Sequence, residues 1–150
     1  MSGFQSLNIS GSALTAQRVR MDVVSSNLAN MDTTRAKQVN GEWVPYRRKL
    51  VSLQSGGESF SSLLNSKMNG IGSAGNGVKV SAVTEDPSAF NLVYDPENPD
   101  ANKDGYVQKP NVDPLKEMVD LVSSTRSYEA NVTALNASKG MLLKALEIGK

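Results

Sequence analysis

Large apolar residues recur every seven positions at both ends of this chain. Leu7, Leu14, Met21 and Leu28 form the first series, with Phe4, Val24 and several alanines in the neighbouring turns. Their spacing predicts a helix over residues 4–30 with one narrow apolar stripe, the seam of a coiled-coil-like helix. Leu121, Tyr128, Leu135 and Leu142 form the second series, and Met118, Val132 and Leu146 fall on adjoining positions that Thr125 and Lys139 interrupt. Here Asp113 is a natural N-cap and Pro114 a natural first helical residue. The run from Pro114 to Ile148 predicts a helix of roughly 50 Å. Gly140 inside it suggests a bend or a close helix contact.

Between the helices the period changes. Asn40-Gly41 is a turn dipeptide, and Glu42 to Leu53 has the β-branched and aromatic content of a strand, with Pro45 confining its first part to an edge. Val78 to Val83 alternates as a half-buried strand, and Phe90 to Tyr94 reads as another. Ser55 to Gly77 is rich in Ser, Gly and Asn and reads as a surface loop. Asp95 to Pro110 reads as a turn-rich loop. The expected fold class is therefore α+β. Residues 1–34 plus 112–150 make a helical, coiled-coil-like domain, and residues 35–111 a β-containing insert too poor in large apolar side chains for much of a core. Neither helix can bury its stripe alone, so each must pack on the other, on a second copy or on a different chain.

Composition narrows the chemistry. The 150 residues contain no cysteine and no histidine, which removes disulfides, thiolate nucleophiles, His-dependent triads and the commonest metal ligands. Sixteen Lys and Arg against fifteen Asp and Glu leave a net charge of +1, too little cationic excess for nucleic acid as the main partner. The first ten residues have neither a basic nor an apolar signal region, and no apolar run reaches the ~20 residues of a membrane span. No direct membrane insertion is expected.

Three motifs invite chemistry and resist it. Gly70 to Gly75 matches G-x-G-x-x-G, yet a Ser-rich stretch precedes it and a strand follows, the reverse of a dinucleotide site. Asp100-Ala101-Asn102-Lys103-Asp104-Gly105 resembles the start of a calcium loop, but its twelfth position is Asn111 where a bidentate Glu belongs. Arg47-Arg48-Lys49 is a dense basic cluster that strand geometry splits between two faces, favouring a solvated edge or an acidic neighbour. No paired carboxylates or activated hydroxyls stand out. Catalytic, cofactor-binding and metal-binding residues are all expected to be none.

The most unusual stretch is Ser25-Ser26-Asn27-Leu28-Ala29-Asn30-Met31-Asp32-Thr33-Thr34. Asn27 and Asn30 lie on one side of a helix end, where two readings carry equal weight. Either they terminate the helix by competing for backbone hydrogen bonds, or they bond across an interface and set its register.

This stretch resembles the signature of bacterial flagellar rod and hook axial proteins. Gly41-Glu42-Trp43-Val44-Pro45-Tyr46-Arg47-Arg48-Lys49, Asn111-Val112-Asp113-Pro114-Leu115-Lys116-Glu117-Met118-Val119-Asp120-Leu121 and Ser127-Tyr128-Glu129-Ala130-Asn131-Val132 are similarly specific to that family. One departure is Arg35-Ala36, where many axial proteins carry Gly-Tyr or Gly-Phe. The resemblance implies a structural subunit of the basal-body rod, crossing the periplasm and transmitting torque from motor to hook. It also implies passage through the flagellar type III export apparatus, consistent with the missing signal and missing cysteines. Expected partners are other rod proteins and copies of the chain itself. The expected subunit-interface residues are Leu7, Leu14, Met21, Asn27, Leu28, Asn30, Leu121, Tyr128, Leu135 and Leu142. A cytoplasmic coiled-coil adaptor or export chaperone is the alternative.

Overall fold

The computed structural model describes residues 2–56, 64, 68 and 77–148. Helix α1 runs Ser2–Ala29 and helix α2 Pro114–Ile148. Between them lie strands β1 (Lys37–Val39), β2 (Glu42–Val44), β3 (Lys49–Ser55), β4 (Val78–Glu85), β5 (Asn91–Tyr94) and β6 (Tyr106–Lys109). The strands pair as separate antiparallel ladders, β1 with β2, β3 with β4 and β5 with β6. The architecture is α+β, two long helices with a small β-containing middle.

The termini of the helices follow the expected chemistry. Asp113 caps α2, its Oδ1 accepting from Leu115 N at 3.0 Å, while Pro114 fills the first helical position, whose N–H has no intrahelical partner. Asn30 ends α1: both its backbone N and its Nδ2 donate to the Ser26 carbonyl, at 3.1 and 2.9 Å, taking an acceptor the helix leaves open. Asn40 and Gly41 have φ of 52° and 89°, the left-handed pair a two-residue hairpin turn needs.

Pro45 does more than confine a strand to an edge. The expected Glu42–Leu53 strand breaks at 45–48, and its halves pair with different partners, β2 with β1 and β3 with β4. Part of the expected Asp95–Pro110 loop is also a strand: Tyr106–Lys109 pairs with β5, Tyr94 opposite Tyr106, their rings edge to face at 5.3 Å. Gly70 to Gly75, and most of the expected Ser55–Gly77 loop, lie outside the described residues. The Leu64 and Met68 side chains are exposed.

Helices α1 and α2 pack antiparallel. Asn27 reaches Glu117, Arg20 reaches Asp120 and Met21 reaches Thr125, so position rises along one helix as it falls along the other. The face of α2 turned to α1 is Glu117, Leu121, Ser124, Tyr128, Asn131, Leu135, Ser138 and Leu142, all buried or half-buried. Large apolar residues thus alternate with polar and mostly small ones. Met118 and Leu146 stand 55% and 70% exposed, so the adjoining series expected to widen the seam belongs elsewhere on the helix. Gly140 makes no close approach, since a Cβ there would meet nothing within 4 Å.

The β3–β4 ladder covers a second side of α1. Gly77 at φ +80° lets the chain enter β4 against α1, and Val78 N donates to Ser12 Oγ at 3.0 Å. The buried apolar residues are few and mostly small (Ala16, Val24, Tyr46, Val107 and Val112). Accessible surface is 10583 Å². A compact protein of this mass would expose about 7,400 Å². The excess is the surface of an extended subunit.

Candidate functional site

The most fully buried side chains cluster where the end of α1, the segment between β2 and β3, and the start of α2 converge. Asn27 is 1% exposed and Glu117 0%. Every hydrogen-bonding position of the Asn27 amide is used. Its Nδ2 donates to Glu117 Oε2 at 3.0 Å and to the Lys49 carbonyl at 2.9 Å. Its Oδ1 accepts from Tyr46 OH at 3.0 Å and Lys49 N at 2.9 Å. An amide with two donors and two acceptor lone pairs can do no more.

Glu117 is held from its other side by Arg48, whose Nε and Nη2 lie 2.7 and 2.6 Å from Oε1. This is the forked geometry that makes Arg the residue for a buried carboxylate. Arg48 also approaches Asp86 at 3.6 Å. Burial pulls the Arg48 guanidinium down, but the hydrogen bonds and negative charges of Glu117 and Asp86 outweigh it and hold Arg48 above its ordinary value. Hydrogen bonds from the Ser88 backbone and side chain, with help from Arg48, hold Asp86 below the usual carboxylate value. Asn111 completes the junction. Its Oδ1 accepts from Arg48 N at 2.9 Å and its Nδ2 donates to Ser88 Oγ at 2.8 Å.

A polar strap, residues 32–37, runs beside this junction. Asp32 pairs with Lys109 at 3.2 Å and Lys37 with Glu85 at 3.1 Å. Thr34 Oγ1 donates to Asp100 Oδ2 at 2.7 Å, and Arg35 Nε donates to Oδ1 at 2.6 Å. These hydrogen bonds, Arg35 first and Thr34 second, hold Asp100 below its ordinary value. Arg35, the departure from the family pattern, therefore has a partner in the loop that resembled a calcium site. Asp100 is committed to the strap.

The sequence-predicted residues separate into two groups. Leu7, Leu14, Met21, Leu28, Leu121, Tyr128, Leu135 and Leu142 are half-buried along the helix pair. Asn27 lies wholly inside the subunit, and Asn30 spends its side chain on α1's own end, where Thr33 Oγ1 also donates to its Oδ1 at 3.3 Å. Both readings of the asparagines hold part of the answer: Asn30 terminates the helix, and Asn27 bonds across a junction between segments of one chain.

Sequence reasoning passed over Glu117, Arg48, Tyr46, Asn111 and Asp86. The available signal was Glu117 itself. It continues the three-and-four spacing of Leu121, Ser124 and Tyr128, which puts a charge on a face that packs. Of the basic cluster, Arg48 turns inward, while Arg47 lies 4.5 Å over the Phe90 ring and reaches the Asp86 carbonyl at 3.2 Å. The expected solvated edge fails for Arg48 because Glu117, fully buried, requires a cation.

The segments that build the junction are also those that match known proteins. Residues 7–37 match the family described as flagella basal body rod protein, and residues 103–148 the family described as flagellar basal body rod FlgEFG protein C-terminal. The flagellar basal-body rod protein FlgC of Bacillus subtilis (strain 168) is 85% identical over 150 residues, all of both chains. That of Buchnera aphidicola subsp. Acyrthosiphon pisum is 43% identical, again over the whole of both. That of Salmonella typhimurium is 43% identical over 143 residues, 95% of each chain.

Proposed function

The chain belongs to the FlgC family of flagellar basal-body rod proteins, and from that membership we propose that it builds the proximal rod and carries torque across the periplasm toward the hook. It is a structural subunit of the basal-body rod that assembles with other rod components, and it is not an enzyme.

The supporting observation is a helix pair pinned at one end and only half-buried along its length. The junction around Asn27 and Glu117 sets the angle and register of α1 and α2, while the eight large seam residues keep surface to offer. Neighbouring axial subunits complete that burial, through Leu7, Leu14, Met21 and Leu28 on α1 and Leu121, Tyr128, Leu135 and Leu142 on α2. Asn27 and Asn30 serve those contacts from within, by holding the end of α1 in place. Such contacts between unlike patches generate an open helical assembly, as a rod requires. The chain reaches the rod through the flagellar type III export apparatus, whose narrow passage suits a subunit with no disulfides and a small core.

The test is substitution of Leu135 or Leu142 by Asp, read by electron cryotomography of the cell envelope. Basal bodies that keep their membrane ring but lack a completed rod are expected. Normal rods would sink the seam contact. In cells with a blocked export apparatus the chain should accumulate in the cytoplasm.

A further inference from the structure

Besides the face turned to α1, α2 carries a second line of regular spacing: Leu115, Met118, Val122, Thr125, Glu129, Val132, Asn136, Lys139, Leu143 and Leu146. Steps of three and four keep it straight against a supercoiling partner helix, and it lies about a quarter turn from the α1 seam. Its middle is polar. Its two ends are apolar and exposed: Leu115, Met118 and Val122 in the first turns, and Leu143 and Leu146 in the last. The register of the helix pair brings the start of α1 level with Leu142, so the last turns of α2 run on past α1.

These end patches are in phase. Leu143 lies 28 residues after Leu115, and Leu146 lies 28 after Met118, which is four heptads. We propose that the two patches dock on each other between successive copies of this chain, parallel and staggered by about 42 Å, so that the last turns of α2 in one copy lie beside the first turns of α2 in the next. This rests on the rod-subunit reading and adds its partner and register.

Three features favour a second copy. The patches sit at opposite ends of one helix, so a contact between them cannot close on itself and propagates as a filament. Overlap sets the C-terminal end of one helix against the N-terminal end of another, where the helix dipoles attract. Carboxylates border the first patch (Asp113 and Asp120) and ammonium groups the second (Lys139 and Lys144), while Lys116 and Glu147 pair within their own patches. The polar middle of the line argues against unstaggered pairing, which would bring Glu129 and Lys139 of two copies level with their like.

The chain has no cysteine, so introduced thiols report contacts without background. Leu115→Cys/Leu143→Cys in the full chain should, on oxidation of isolated basal bodies, give a ladder of dimers and higher species joined 115 to 143. Neither single variant should cross-link to itself. Both positions are at least half exposed, so folding is not at issue. Self-linking of the Leu115→Cys variant would overturn the stagger in favour of level packing. A closed dimer from Leu115→Cys/Leu146→Cys, with no ladder from the first pair, would overturn it in favour of an antiparallel pair. Basal bodies that contain the double variant without any such species overturn the contact and leave the rod-subunit role standing. Basal bodies that lack the wild-type chain overturn the role and the contact together.

Discussion

Asn27 and Glu117, ninety residues apart in sequence, meet side chain to side chain at 3.0 Å with almost no exposure to solvent. One stands near the last turn of α1 and the other in the first turn of α2, so this bond closes the helix pair at one end. The amide also ties down Lys49 at the start of β3, and the carboxylate fixes Arg48 beside it. A single buried pair thus aligns two helices and the base of a hairpin.

Asn27→Ala should destabilise the subunit by about 2–3 kcal/mol, because Tyr46 and the Lys49 backbone would lose buried partners. Asn27→Asp should cost more, since it keeps the shape but sets a second carboxylate against Glu117. Urea unfolding of the purified variants gives the ordering, and an Asp variant as stable as wild type would contradict it.

Arg48→Met leaves Glu117 buried and without its cation, at a cost of about 3–5 kcal/mol. Adding Glu117→Gln removes the uncompensated charge while keeping an acceptor for Asn27. The double variant should therefore be more stable than Arg48→Met alone, a coupling that a double-mutant cycle reads directly. Simple additivity would mean the two side chains act independently.

The glycines divide by surroundings. At Gly77 a Cβ would fall 2.2 Å from Ser12 Oγ, at a φ of +80°. Gly77→Ala should cost more than Gly41→Ala, where φ is +89° but the space is open. Gly140→Ala should stabilise α2 by about 0.5–1 kcal/mol, because the position is an open helix interior. Thermal melting of the three variants orders them, and a destabilising Gly140→Ala would point to a contact at that position.

Acid should weaken the junction and the strap. Asp86 and Asp100 titrate lower in the folded chain than in the unfolded one. Their contribution is complete above the unfolded value of about 3.9 and disappears as pH falls toward the folded values. Stability should thus drop with acidification below pH ~4. Asp86→Asn and Asp100→Asn should each flatten that slope, and an unchanged slope in both would show that other carboxylates control it.

Most of the candidate assembly surface was legible because it depends on local periodicity. Seven-residue spacing placed Leu7 to Leu28 and Leu121 to Leu142 on helix faces, and Asp113-Pro114 marked where α2 begins. The junction was not legible. Glu117, Arg48 and Asn111 look like ordinary surface residues, and only their meeting from three distant segments makes them interior. Local spacing misassigned Met118 and Leu146 for a related reason: two apolar lines share α2, and spacing alone cannot say which one faces α1.

Periodicity, caps and turn dipeptides are interactions among near neighbours, so this sequence by itself determined both long helices, the Asn40-Gly41 hairpin and the absence of His and Cys chemistry. The break of the expected strand at Pro45, the pairing of Tyr106–Lys109 with β5, the inward turn of Arg48 and the choice of seam on α2 were decided by tertiary structure. Each depends on which groups are removed from water together, and a buried carboxylate or amide selects partners by distance in space.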